Sequence, residues 1–177
     1  AGTAAINVET RVVNDDMLDV KVGEVGEIVH RSPQLLTGYF EDPERTAEAF
    51  EGGWFHSGDL ATIDEEGHIT VVDRKKDMIN TGGENVASRE VEECIYLMPE
   101  ISEVAVIALP DPHWIEAVTA VVTVKEGQNT TEEAIIKHCR EHLAGYKTPK
   151  QVIFQHSLPK NPSGKLLKRE LRASLAK

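Results

Sequence analysis

The sequence predicts an α+β fold in two parts, a mostly antiparallel β stretch followed by a small mixed α/β stretch. Up to Val72 the apolar residues fall in short, weakly alternating runs separated by turn signals, as in antiparallel strands. After Ile79 the spacing changes, with Val91, Cys94, Ile95 and Met98 recurring at i, i+3, i+4 and i+7. Val104 to Leu109 and Val118 to Val124 are almost continuously apolar, the pattern of strands covered on both faces.

Taken in order, Ile6 to Val13 reads as a strand ending at the Asn14-Asp15-Asp16 turn, and Val25 to Arg31 as a second strand. Asp42 caps a short helix with Pro43 at its first position, running to Phe50 and stopped by Gly52-Gly53. Trp54 to Ile63 and His68 to Val72 pair as a hairpin across Asp64-Glu65-Glu66-Gly67. In the second part Ser88 caps a helix ended by Pro99, and Thr130 with Glu133 forms a capping box for a helix to Leu143. Gln151 to Gln155 completes a three-stranded sheet, and Leu167, Leu171 and Leu175 line one face of a last helix. The boundary is expected near Arg74 to Lys76, giving domains 1–74 and 75–177. There are no internal repeats or low-complexity tracts.

The 177 residues suffice for one or two small cores. Lys+Arg 19 against Asp+Glu 30, a net charge of −11, argues against nucleic acid or anionic lipid as main partner. A nucleotide stays open, because a few local cations and backbone donors suffice. Cys94 and Cys139 lie in helical patterns without Cys-x-x-Cys spacing and read as buried free thiols in a reducing compartment. No apolar run reaches spanning length and no signal peptide is visible, so a cytoplasmic location is expected.

The chain is organised around Thr70-Val71-Val72-Asp73-Arg74-Lys75-Lys76-Asp77-Met78-Ile79, followed by Asn80-Thr81-Gly82-Gly83-Glu84-Asn85. A strand that runs into consecutive charges must meet solvent, a ligand or a domain boundary. Two further stretches accompany it, Trp54-Phe55-His56-Ser57-Gly58-Asp59-Leu60 upstream and Leu158-Pro159-Lys160-Asn161-Pro162-Ser163-Gly164-Lys165 downstream. In the last, Pro162-Ser163-Gly164 is a tight turn that can bring the Lys165 ammonium to a ligand held by another domain. It is not a Walker loop, since Pro159 stands where the first Gly belongs and Leu166 replaces Ser/Thr.

In this order and spacing the three stretches resemble adenylate-forming enzymes: acyl- and aryl-CoA ligases, luciferases and peptide-synthetase adenylation domains. The resemblance covers nearly the whole chain but only the C-terminal third or so of such an enzyme. It implies that the first part is a barrel-type β remnant of the large N-terminal domain and the second a mobile C-terminal lid. The phosphate loop, adenine shelf and acyl pocket would then precede Ala1, and the chain alone is expected to form no acyl-adenylate. Within the family, the motifs look more like fatty-acyl and aryl-CoA ligases than carrier-loading domains. The implied reaction joins a carboxylic acid, by resemblance a medium- or long-chain fatty acid first, to coenzyme A, and converts ATP (bound with Mg in the intact enzyme) to AMP and pyrophosphate. A carrier-loading or aryl-acid enzyme, and a non-catalytic nucleotide- or CoA-binding module, are the alternatives.

The resemblance implies residue roles. Lys165 would bridge carboxylate and α-phosphate, where a point charge lowers the barrier as phosphoryl charge develops. Asp59 would accept both ribose hydroxyls, an Asx-turn being its competing role, and Arg74 would reach the nucleotide, with an ion pair to Asp73 as the competing reading. Lys76 falls at the hinge between adenylating and thiol-accepting arrangements. Gly83 would line the pantetheine channel unless it is a plain turn glycine, with Glu84 a weaker candidate beside it. Trp114, Tyr146 and Lys150 would meet the CoA nucleotide, and for the two aromatics a core position is an equal alternative. Thr148 replaces a cation found in some relatives, Ser88 stands where proline is common, and Ile115 precedes Glu116 where Gly-Glu is usual. His138-Cys139-Arg140-Glu141-His142 fits the H-x-x-E-H spacing, but Glu141 lies opposite the core face and no third ligand is indicated, so no metal is expected. Exposed sheet edges make self-association of the chain an expectation.

Overall fold

The computed structural model describes residues 1–176 and divides into two compact units, Ala1–Lys76 and Asp77–Lys177. Among the described residues there are nine strands and four α-helices.

The first unit is a four-stranded antiparallel sheet in the order β1-β2-β3-β4, with β1 at Glu9–Val13, β2 at Gly26–Arg31, β3 at Phe55–Ile63 and β4 at Ile69–Arg74. Side-chain alternation splits its apolar residues between two faces. Val12, Ile28, Ala61 and Ile69 pack on one, and Val13, Val29 and Trp54 on the other. The guanidinium groups of Arg31 and Arg11 lie 4.2 and 5.2 Å from the Trp54 ring centre and close that second face. Gly26 is obligatory for close packing, because a Cβ there would lie 2.5 Å from the Val13 carbonyl oxygen. Helix α1, Pro43–Ala49, starts as expected, with the Asp42 side chain accepting the Arg45 N–H. The sheet is open rather than a closed barrel. Strands β1 and β4 remain at its edges, and four twisted strands are too few to wrap round on themselves.

The second unit has five strands, not the three expected. They are β5 (Ile79–Thr81), β6 (Glu84–Val86), β7 (Ile101–Asp111), β8 (Ile115–Val124) and β9 (Gln151–Phe154). The extra pair is the short hairpin around Gly82-Gly83, too brief to show an alternating pattern. It joins the sheet where Thr81 pairs with Ile115. The order is β6-β5-β8-β7, and β9 pairs parallel to β8. Helices α2 (Ser88–Tyr96) and α3 (Glu132–His142) contribute to the larger core, with Val104, Val106, Val118 and Val122 from the sheet. The opposite strand positions, Ala105, Ile107 and Val121, pack with Leu171 of α4, Lys168–Leu175. Coverage on both faces explains why β7 and β8 read as continuous apolar runs.

Two helix starts differ from expectation. Ser88 is the first residue of α2 rather than its cap; it is fully buried, and its hydroxyl accepts a 2.7 Å bond from Lys168 Nζ. The cap of α3 is Thr131, not Thr130, and it accepts the Ala134 N–H at 3.2 Å. Adjacent threonines are equivalent in sequence, and Thr131 is the one with the extended backbone of a cap, φ −122 and ψ 162.

Candidate functional site

In the first unit β3 leaves its partner at Ser57-Gly58, between the register pairs Glu27↔Leu60 and Val29↔His56. Gly58 has φ +72, a conformation open to glycine. The excursion is held from below. Ser57 Oγ donates to the Ile28 carbonyl at 2.7 Å and accepts the Asp59 N–H at 3.1 Å, while Glu27 accepts the Gly58 N–H at 3.1 Å. Glu27 is only 8% exposed, and His56 and Lys75 also reach it, both at 3.2 Å. Burial pushes its carboxyl up, but the bonds from His56, Lys75 and Gly58 outweigh that and hold it below its ordinary value. Lys75 also pairs with Asp15 at 3.0 Å; burial lowers its pKa, and the two carboxylates raise it further than burial lowers it. Sequence reasoning missed this Glu27, His56 and Lys75 support, since nothing local marks Glu27 as buried.

Beside it, a cleft of about 410 Å³ is lined by Ser57, Gly58, Arg74, Lys75 and Lys76. Asp59 and Arg74 are a register pair of β3 and β4, and Arg74 Nε lies 3.4 Å from Asp59 Oδ1. The Arg74 side chain thus turns to Asp59, and Asp73 accepts the Arg74 backbone N–H. Burial lowers the pKa of His30, and the Asp59 charge partly opposes that. A carboxylate and a guanidinium at the rim of a cationic cleft can take hydroxyl donors and an anion side by side.

In the second unit Lys165 closes a turn pinned by one side chain. Asn161 Oδ1 accepts from Ser163 N, Ser163 Oγ and Lys165 N at 3.1, 2.8 and 2.8 Å, and Asn161 N donates to the Lys165 carbonyl at 3.0 Å. Gly164 has φ +82. The flanking cations are committed, Lys160 to Glu103 and Lys168 to Glu92, while Lys165 stands exposed. The Pro-Ser-Gly-Lys spelling marks the turn in the sequence; the pinning by Asn161 does not follow from it.

Elsewhere in this unit Gly82 and Gly83 turn the β5–β6 hairpin with φ +60 and +88. Glu84 follows, exposed. Gly82, not Gly83, is the glycine under Trp114. Its N–H donates to the Trp114 carbonyl at 2.7 Å, and a Cβ would meet the indole at 3.2 Å, whereas one on Gly83 meets nothing. Lys150 Nζ sits 4.6 Å from the Trp114 ring centre; burial, then the Arg140 charge, lower its pKa. Tyr146 is 39% exposed on a turn held by Lys147, which is bonded to both Glu90 oxygens at 2.7 Å. Neither aromatic is a core residue. Trp114, Lys150 and Gly82 come together, and the hydroxyl of Thr148 is buried without a hydrogen-bond partner among the described residues. Ile115 has φ +69, strained for a β-branched residue, at the position where Gly-Glu is usual in the resembled family.

Residues 90–165 match the family described as AMP-binding enzyme C-terminal domain. The chain is 45% identical over 172 residues to the long-chain-fatty-acid–CoA ligase FadD13 of Mycobacterium tuberculosis, covering 97% of this chain and 34% of that protein. It is also 45% identical over 172 residues to a feruloyl-CoA synthase from Amycolatopsis sp, covering 97% and 35%. Among solved structures, ATP-bound MatB from Rhodopseudomonas palustris aligns with TM-score 0.91 and 37% identity, over 98% of this chain and 35% of that one. The chain spans about a third of the length of the curated relatives it matches.

Proposed function

The chain belongs to the adenylate-forming enzymes, carrying their AMP-binding enzyme C-terminal domain at residues 90–165, and from that premise we propose that it is the C-terminal portion of an ATP-dependent acid–CoA ligase. The acid carboxylate attacks the α-phosphate of ATP and displaces pyrophosphate. The CoA thiol then attacks the acyl-adenylate carbonyl, and AMP leaves. The observation that carries this reading is Lys165, exposed on a turn pinned by Asn161 between two lysines already in ion pairs. A mobile ammonium presented in this way stabilises charge that develops only in the adenylation step.

In this reading Asp59 takes the ribose hydroxyls and Arg74 the nucleotide beside them, at the rim of the Ser57, Gly58 and Lys76 cleft. Lys76, the last residue of the first unit, is the hinge. Gly83 and Glu84 border the pantetheine path, with Gly82 held against Trp114, and Trp114, Tyr146 and Lys150 receive the CoA nucleotide. The residues lining the cleft are small or cationic and suit phosphate oxygens rather than an octahedral magnesium ion.

A fatty acid is the first substrate choice, after the ligase relative. An aryl acid is the second reading, favoured by the feruloyl-CoA synthase relative at the same identity. Among the described residues no helix is long and apolar enough to cross a membrane. The deciding experiment follows AMP release by the full-length protein over a panel of fatty and aromatic acids, with CoA, with a phosphopantetheinylated carrier and with neither. Release that depends on CoA supports the ligase; release that depends on the carrier, or on neither, overturns it.

A further inference from the structure

The H-x-x-E-H run carries two histidines one helical turn apart, and the sequence offers them no third ligand. Helix packing supplies one. Cys94 of α2 sits in the same core cluster as Cys139 of α3. One donor atom from each of Cys94, His138 and His142 lies within 4.8 Å of the other two. The imidazoles are already oriented by backbone. His138 Nε2 is 3.0 Å from the Cys94 carbonyl oxygen, and His142 Nδ1 is 2.8 Å from the His138 carbonyl oxygen. A carbonyl can only accept, so both of those nitrogens carry the proton, and the second nitrogen of each ring keeps its lone pair. Metal-binding histidines commonly donate their other ring N–H to a backbone carbonyl, which sets the tautomer.

We propose that Cys94, His138 and His142 form a binding site for one zinc-class divalent ion, with a thiolate and two imidazoles as ligands and water in the fourth position. Donors on a tetrahedral zinc stand roughly 3.3–3.6 Å apart, given bonds of about 2.0 Å to nitrogen and 2.3 Å to sulfur. Closing the set from at most 4.8 Å therefore needs a shift of about 1.5 Å or less in any donor pair. One sulfur with two imidazoles favours zinc or cobalt over magnesium or calcium. On binding, the Cys94 S–H loses its proton to solvent as the metal–sulfur bond forms. The site is not that of a hydrolase, because Glu141 is directed to Lys137, 4.0 Å away on the solvent side of α3. Its consequence is a tie between α2 and α3 across the face that carries the larger core.

The test is a cobalt(II) titration of the full-length protein, kept reduced by a phosphine. The expected result is one equivalent bound, with visible bands of four-coordinate cobalt and a near-ultraviolet thiolate charge-transfer band, both erased by added zinc. His142→Ala, a change on the surface, should weaken cobalt binding by more than about a hundredfold, beyond the loss typical of an outer-shell partner. Cys94→Ala should remove the charge-transfer band, and Cys139→Ser should keep it. A spectrum without the thiolate band, a band lost in Cys139→Ser, or binding unchanged in His142→Ala would overturn the proposal.

Discussion

Asp59 and Arg74 face each other across β3 and β4, with the guanidinium Nε 3.4 Å from the carboxylate. Antiparallel pairing accounts for this. Residues on either side of a hairpin meet at its open end, and the two side chains stay 37% and 45% exposed there. A pair so exposed is worth about 1 kcal/mol or less, and both groups remain accessible to a ligand. Arg74→Ala in the full-length enzyme should raise the KM for ATP by about tenfold, one hydrogen-bonded charge contact, while changing unfolding stability by no more than about 1 kcal/mol. Steady-state kinetics and urea titration read the two effects separately; a large stability loss with unchanged KM would make the pair structural.

Lys165→Ala should reduce adenylate formation by about a hundredfold to a thousandfold, the usual effect of removing one preorganised charge donor. Thioester formation from supplied acyl-adenylate should be little changed. Pyrophosphate exchange and thioester assays on the full-length protein measure the two steps, and equal loss in both would assign Lys165 to structure.

Lys76→Pro fixes φ at the residue where the first unit ends. Adenylation should survive and transfer to CoA should fall by about a hundredfold or more, because a locked hinge permits one arrangement only. Loss of both steps to the same degree, measured in the same pair of assays, would exclude a hinge at this position.

Ile115 holds φ +69 in a residue that is 64% exposed, so the strain is offset by little burial. Ile115→Gly should stabilise the chain by about 1 kcal/mol, relief of a left-handed β-branched residue less the glycine entropy cost. The check is a higher urea midpoint at unchanged slope.

Glu27 makes the first unit acid-sensitive. Its folded pKa lies below the ordinary 4.5, so between the two values the unfolded chain binds more protons than the native one. Its stabilising contribution is therefore complete above about pH 4.5 and fades as pH falls through the lowered value. Glu27→Gln should flatten the acid limb of a stability–pH profile, which thermal unfolding across pH 3 to 6 would show; an unaltered limb would assign acid sensitivity to other carboxylates.

Most of the secondary structure and the turn that carries Lys165 were legible in the sequence because both are local. Alternation, the 3.6-residue period, the Asp42-Pro43 start and the Pro162-Ser163-Gly164-Lys165 turn each depend on a few neighbouring residues, and the motif order marked the family. The burial of Ser88 under Lys168, the three groups that meet at Glu27, the contact of Gly82 with Trp114 and the approach of Cys94 to His138 and His142 depended on tertiary structure. Each joins segments far apart in the chain, and such pairings are decided by how packed faces fit together, a property that no local pattern carries.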